Sequence, residues 1–158
     1  MEVLVGIGEY RVANPPSWVV TRGLGSCVGV TIYNSIGRVG GLAHVMLPSS
    51  KDFRSFTNPY KFADLAVRAL YNEVRRNGGP QGLQAKLVGG ARMFSYRNEA
   101  AGFDIGTRNV LEVRNALAQL GVRVIAEEIG GSWGRTAILD VATGQVLVKT
   151  VGKGELVI

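Results

Sequence analysis

Cys27-Val-Gly-Val-Thr-Ile-Tyr-Asn-Ser-Ile-Gly-Arg-Val-Gly-Gly-Leu-Ala-His44 begins at the chain's one cysteine and ends at its one histidine. Two runs rich in β-branched and small residues flank the turn-forming quartet Asn34-Ser35-Ile36-Gly37, so the stretch reads as a β-hairpin. With those four residues as the loop and Tyr33 paired with Arg38, Val28 falls opposite Ala43, Val30 opposite Gly41 and Ile32 opposite Val39. Every position on that face is apolar or small, as a core-facing side requires. The other face pairs Gly29 with Leu42, Thr31 with Gly40 and Cys27 with His44. Directly opposed side chains have Cβ atoms about 4.5–5.5 Å apart, a workable distance for a thiol and an imidazole to share a proton. A loop one residue longer or shorter would turn the two residues to opposite faces.

That pairing suits nucleophilic catalysis. A free thiol is only slightly ionised at neutral pH, and a neighbouring imidazole can remove or share its proton. The base then needs a third group to orient its ring. The run Thr21-Arg22-Gly23-Leu24-Gly25-Ser26 leads directly into Cys27. Its glycines let the main chain approach a ligand closely, so the Gly25–Ser26 loop is a candidate oxyanion or substrate site, with the amides of Ser26 or Cys27 as donors. Each singleton also has a structural explanation: a lone cysteine as a small buried hydrophobe, a lone histidine as a satisfied core residue. Geometry alone leaves both readings open. The glycines do not make a dinucleotide site, because the spacing is GxGxxxG and the strand turns back as a hairpin.

Outward from the hairpin, further β-rich runs lie at Glu2–Val5, Trp18–Val20, Ala85–Val88, Val122–Ile129, Ala137–Asp140 and Gln145–Val151, the last two joined by a turn at Ala142-Thr143-Gly144. A helix is predicted from Asn58 as cap and Pro59 as first residue. Phe62, Ala63, Ala66, Ala69, Leu70 and Val74 form its apolar stripe, and Asn77-Gly78-Gly79-Pro80 ends it. A second helix is predicted from about Thr107 to Leu120. The order of elements implies a single α+β domain over residues 1–158, with mainly antiparallel β-sheet layers and two principal helices packed on one side.

Composition removes several classes. One cysteine excludes an internal disulfide framework, and one histidine with one cysteine excludes a Cys/His zinc site. The N-terminus has Glu2 and Glu9 and no basic flank before an apolar run, so it does not read as a signal peptide. No apolar run approaches the ~18 residues of a spanning helix. The expectation is a cytoplasmic protein without membrane insertion. The net charge of +6 favours acidic partners, but the basic residues are dispersed, with no run that marks a nucleic-acid site. Glycine, at 22 of 158 residues, is roughly twice as common as usual.

Several motifs together resemble the chemoreceptor glutamine deamidase family of bacterial and archaeal chemotaxis, CheD. They are Gly6-Ile-Gly8-Glu-Tyr10, Leu24-Gly-Ser-Cys-Val28, Gly41-Leu-Ala-His-Val-Met-Leu-Pro48, and Lys86-Leu-Val-Gly-Gly-Ala91 with Met93-Phe94. Ile105-Gly-Thr-Arg-Asn109, Gly130-Gly131 with Arg135, and Thr143-Gly144 complete the set, which spans nearly the whole chain. The resemblance implies a catalytic triad of Cys27, His44 and Thr21. Cys27 would attack a receptor glutamine carboxamide, His44 would carry the proton to departing ammonia, Thr21 would orient His44, and water would hydrolyse the thioester to glutamate. It implies no metal and no organic cofactor. Its implied partners are the cytoplasmic helices of methyl-accepting chemotaxis receptors, as substrate, and a CheC-type phosphatase. Hydrolysis of receptor methyl esters is a related activity credited to some members.

Arg22, beside the implied triad threonine, departs from the small or apolar residue expected there and is read as pointing to solvent. The Ala91–Phe94 and Arg108-Asn109 motifs are read as turn and helix-start structure without a catalytic role. Two rivals accompany the enzyme reading: a non-catalytic adaptor for a chemotaxis phosphatase or receptor, and, suggested by charge alone, a nucleic-acid binder.

Overall fold

A computed structural model describes residues 1–93 and 104–158; Phe94 of the Met93-Phe94 motif lies outside them. The strands are β1 (Glu2–Leu4), β2 (Tyr10–Ala13), β3 (Trp18–Leu24), β4 (Val28–Asn34), β5 (Val39–Val45), β6 (Leu83–Gly89), β7 (Arg123–Ile129), β8 (Arg135–Asp140), β9 (Val146–Thr150) and β10 (Gly154–Val157). The helices are α1 (Ala63–Gly78) and α2 (Ile105–Gln119). Among the described residues the strands form two five-stranded sheets, ordered β1-β3-β8-β9-β10 and β2-β5-β4-β6-β7. Both helices cover the second sheet: Val28, Val30, Ile32, Ala43, Val45 and Leu87 pack against Leu70 and Val74 of α1 and Val113 and Leu117 of α2. On that sheet's other side, Leu42 and Val88 meet Val19, Leu24, Ala137, Leu139 and Val148 of the first sheet. The layers are therefore helices, covered sheet and open sheet, an α+β arrangement with the helices on one side. No helix among the described residues is long and apolar enough to cross a membrane.

Pairing is antiparallel except for β1 with β3 and β6 with β7. The second exception is a β-α-β crossover through α2, one local unit that the sequence reading did not expect. β2 and β10 were also not expected. β2 is a four-residue strand beside Asn14-Pro15-Pro16, and β10 is an edge strand exposed along its whole length.

The hairpin forms with its predicted faces but not its predicted register. Val28 pairs with Val45, Gly29 with His44, Val30 with Ala43 and Asn34 with Val39, so Cys27 is not directly opposite His44. The cause is Asn34. Its side-chain oxygen accepts from the amides of Ile36 and Gly37, and its carbonyl accepts from Arg38. Asn34 is thus the last paired residue, and the four-residue loop runs Ser35 to Arg38, with Arg38 closing it at φ 54°. Each partner shifts by two residues, which preserves the faces. Val28, Val30 and Ile32 still face the helices, and the His44 side still faces the open sheet.

α1 also begins later than predicted. Asn58 caps a single 3-10 turn, Pro59–Lys61, by accepting from the Tyr60 amide. Phe62 is then extended and bridged to Leu47, and α1 starts at Ala63, whose amide donates to the Leu47 carbonyl. The buried Phe62 ring, packed against Phe53 and Phe56, holds this break.

Candidate active site

The site forms where the two sheets face each other. His44 enters from β5 of the covered sheet and is fully buried. Thr21 enters from β3 of the open sheet and is buried opposite it. Just beyond Thr21, β3 carries an extra residue relative to β8: Thr21 pairs with Ala137 but Leu24 pairs with Arg135. Gly23 sits in this bulge at φ 73°, a conformation that L side chains rarely adopt. The bulge bends the chain out of the open sheet, and the next residues carry Cys27 across to β4.

Thr21 Oγ1 lies 2.6 Å from His44 Nδ1 and 2.7 Å from the Val5 carbonyl oxygen. A hydroxyl has one proton and a carbonyl only accepts, so that proton goes to Val5. The contact with His44 must therefore be Nδ1–H donating to Oγ1, which fixes the tautomer and leaves Nε2 with a lone pair. Nε2 is buried and makes no hydrogen bond among the described residues, to Cys27 or to any other group. Burial lowers the imidazole pKa to about 4, so His44 is neutral at physiological pH. These features describe a base held in one orientation with a free lone pair.

Cys27 lies in the turn between β3 and β4 and is half-buried. Burial pushes its thiol pKa up, and its own main-chain N–H opposes that rise. The resting pair is consequently a thiol and a neutral imidazole. Of the three residues named from the sequence, Thr21 and His44 are hydrogen-bonded, whereas Cys27 is placed two positions along from Gly29, the residue opposite His44.

Three successive carbonyls in the Cys27 turn are held by the protein. Gly25 accepts from the Ala91 amide at 2.8 Å, Ser26 from Asn109 Nδ2 at 2.9 Å and Cys27 from the Gly90 amide at 2.8 Å. Gly89 must be glycine for this docking, because it adopts φ 110° and an added Cβ would lie 2.4 Å from the Cys27 carbonyl oxygen. Of the candidate oxyanion loop, the Gly25 amide already donates to Gly23. The Ser26 and Cys27 amides donate to no main-chain carbonyl among the described residues.

Sequence reasoning missed two supporting residues. Asn109, fully buried, also donates to the Met46 carbonyl, two residues past His44. Arg135, also buried, donates to the Gly130 carbonyl at 2.7 Å and lies 3.6 Å from Glu128, bracing the segment that follows β7. An asparagine inside a predicted helix and an arginine two residues before the predicted strand Ala137–Asp140, both in quoted motifs, were the available signals. Arg22 points outward, as expected, and pairs with Glu2 at 3.2 Å.

Residues 46–150 match the family model of CheD, described as chemotactic sensory transduction. That segment starts just beyond His44, so Thr21, Cys27 and His44 lie outside it. Longer matches run to proteins named probable chemoreceptor glutamine deamidase CheD. One, from Desulforamulus reducens, is 49% identical over 152 residues, which is 96% of this chain and 92% of the relative. Another, from Clostridium botulinum strain Hall, is 46% identical over 154 residues, which is 97% of this chain and 95% of the relative.

Proposed function

The chain belongs to the CheD family, and we propose that it deamidates glutamine side chains of chemotaxis receptors through a thioester on Cys27. The observation that carries the roles is the Val5–Thr21–His44 relay, which leaves His44 Nε2 as a buried, unoccupied base. Cys27 Sγ attacks the carboxamide carbon as Nε2 takes the thiol proton. The carbonyl π electrons pass to oxygen, and the Cys27 and Ser26 amides are the available donors for that charge. Collapse of the tetrahedral adduct breaks the C–N bond. Nε2–H protonates the departing nitrogen, which leaves as ammonia. Water, deprotonated by Nε2, then attacks the thioester carbon, releases the glutamate side chain and returns the proton to Cys27. Attack requires a Cys27 S–H to Nε2 hydrogen bond that the resting structure does not contain; such bonds are commonly long in free enzymes and tighten with substrate.

The test is incubation with a chemoreceptor cytoplasmic fragment, reading glutamine-to-glutamate conversion as about +1 Da per site by mass spectrometry. Cys27→Ala is expected to lose at least about 10³-fold in rate. Conversion at the wild-type rate would overturn the nucleophile assignment. Hydrolysis of receptor methyl esters uses the same steps with methanol as leaving group, and methanol release from a methylated fragment reads it in the same assay. Family resemblance supports a CheC-type phosphatase as regulatory partner. A non-catalytic adaptor draws on the missing Cys27–His44 hydrogen bond. CheC capture by both wild type and Cys27→Ala, with no deamidation by wild type, would favour that reading.

A further inference from the structure

Asn109 lies on the second turn of α2 and is fully buried. Asparagine favours helix interiors less than most residues, and burying its amide is costly without partners. Both partners of its nitrogen are main-chain carbonyls, Ser26 at 2.9 Å and Met46 at 3.1 Å. Carbonyls only accept, so the amide orientation is unambiguous: nitrogen towards them, with Oδ1 buried and unpartnered. The two carbonyls belong to segments far apart in sequence, one immediately before the nucleophile and the other two residues after the base.

In a trans peptide, the C=O of one residue and the N–H of the next point in opposite directions. Holding the Ser26 carbonyl against α2 therefore turns the Cys27 N–H to the opposite side. That main-chain N–H also lowers the Cys27 thiol pKa, against the larger rise that burial causes. The Ala91 bond to Gly25 orients the Ser26 N–H in the same way. The donors suited to an oxyanion are thus set indirectly, by groups that grip the preceding carbonyls.

We propose that Asn109 is a positioning residue for acyl transfer: by clamping the Ser26 and Met46 carbonyls together, it fixes the Cys27 turn against the His44 strand and aims the Cys27 N–H at the developing oxyanion. This rests on the assignment of Cys27 as nucleophile. Asn109 touches neither substrate nor reacting atom, and its effect is confined to orientation.

The experiment compares wild type, Asn109→Leu, Asn109→Asp and Cys27→Ala on the receptor fragment. It also measures the pH profile of Cys27 alkylation by iodoacetamide. Leucine keeps the heavy-atom branching of Asn109, though with more bulk, and removes its unpartnered oxygen along with its donors, whereas aspartate keeps the shape and replaces the donor with an acceptor. For whichever variants fold, kcat should fall about 10- to 100-fold with KM within about twofold, the size of effect seen for outer-shell orienting groups and below the roughly 10²- to 10³-fold of an oxyanion donor lost outright. The alkylation profile should move to higher pH as the Cys27 N–H turns away from the sulfur. A kcat per folded molecule equal to wild type, or losses that track the folded fraction with an unmoved alkylation profile, would leave Asn109 merely structural and overturn the proposal. If Cys27→Ala stays active, the nucleophile assignment fails. If Cys27→Ala is dead while Asn109→Leu is fully active, only the clamp fails.

Discussion

The two sheets differ in what they contact, and the candidate site takes one group from each, His44 and Thr21. In the covered sheet, β4 and β5 are buried at every position, because helices lie on one face and the open sheet on the other. Their sequences are accordingly mostly small and apolar, with Thr31, Asn34 and His44 as buried polar exceptions. In the open sheet, β8 alternates buried with partly exposed residues and β10 is exposed throughout. Its inner face packs, while its outer face presents Trp18 and Ile138 to solvent. The proposed base, His44, thus stands on the doubly covered layer, where neighbours hold its strand from both sides. Its orienting hydroxyl comes from the layer held on one side only. Cys27 sits on neither sheet but on the connection between them. In the proposed mechanism, placement at the seam lets the buried His44 meet Cys27, which remains partly exposed.

The difference in support should be measurable as stability. Leu87 of β6 is fully buried in the helix-facing core, whereas Ile138 of β8 faces outward and is only partly buried. Leu87→Ala should cost about 3 kcal/mol, within the range for cavity-forming core truncations, and Ile138→Ala about 1 kcal/mol or less. Urea denaturation of both variants checks the contrast. Equal costs would show that the outer face is packed in solution and would dissolve the distinction between the layers.

A second measurement bears on the depth of the base. Unfolded His44 titrates near 6.5, and burial brings the folded value to about 4. Between those values the unfolded chain binds a proton that the folded chain refuses, so stability rises with pH from 4 to 6.5 and this contribution is constant above. The full contribution is about 3 kcal/mol, present above 6.5 and lost as pH falls to about 4. His44→Asn keeps a donor for Thr21 Oγ1 but has no group titrating in this window. The loss of stability between pH 7 and pH 4 should be larger in wild type than in His44→Asn by roughly that amount. Parallel curves would mean that the imidazole is reached by water.

The same contrast explains what could be read from the sequence. The faces of β4 and β5 were legible because parity along a strand is local, and any register that keeps Val28, Val30 and Ile32 on one side satisfies the core. The register was not legible, because Asn34 decides it through its side-chain bonds to Ile36 and Gly37. Both helices were legible from their apolar stripes, although the start of α1 depends on a non-local contact of Phe62 with Leu47. The division of strands into two sheets rests on pairs such as Val20 with Ile138, far apart in the chain and unmarked by local pattern. Cys27 and His44 stood out as singletons. Thr21 came from family resemblance alone, because its meeting with His44 requires the second sheet. Asn109 sat in a quoted motif without a role, since its partners are carbonyls and carbonyls leave no trace in composition.

The substitution at Thr21 is the most discriminating, because it reaches across the seam. Thr21→Val preserves shape but leaves His44 Nδ1–H without an acceptor and the Val5 carbonyl without the hydroxyl donor. The ring is then no longer held in the tautomer that exposes the Nε2 lone pair. An outer-shell partner that orients a metal-bound imidazole is worth about 10- to 100-fold and a carboxylate that orients a triad imidazole about 10⁴-fold; for a neutral hydroxyl kcat should fall by the smaller factor, with little change in KM. Thr21→Ser restores the hydroxyl and should recover most of the rate. Stability should fall by about 1–3 kcal/mol in the valine variant, the usual cost of stranding a buried donor. A Thr21→Val enzyme with wild-type kcat would mean that the covered sheet alone orients His44 and that the open sheet serves only to bury it. Loss of stability without loss of rate per folded molecule would lead to the same conclusion. Loss of rate reversed by serine requires the two sheets to act together on one imidazole, which ties the packing between the layers directly to the chemistry.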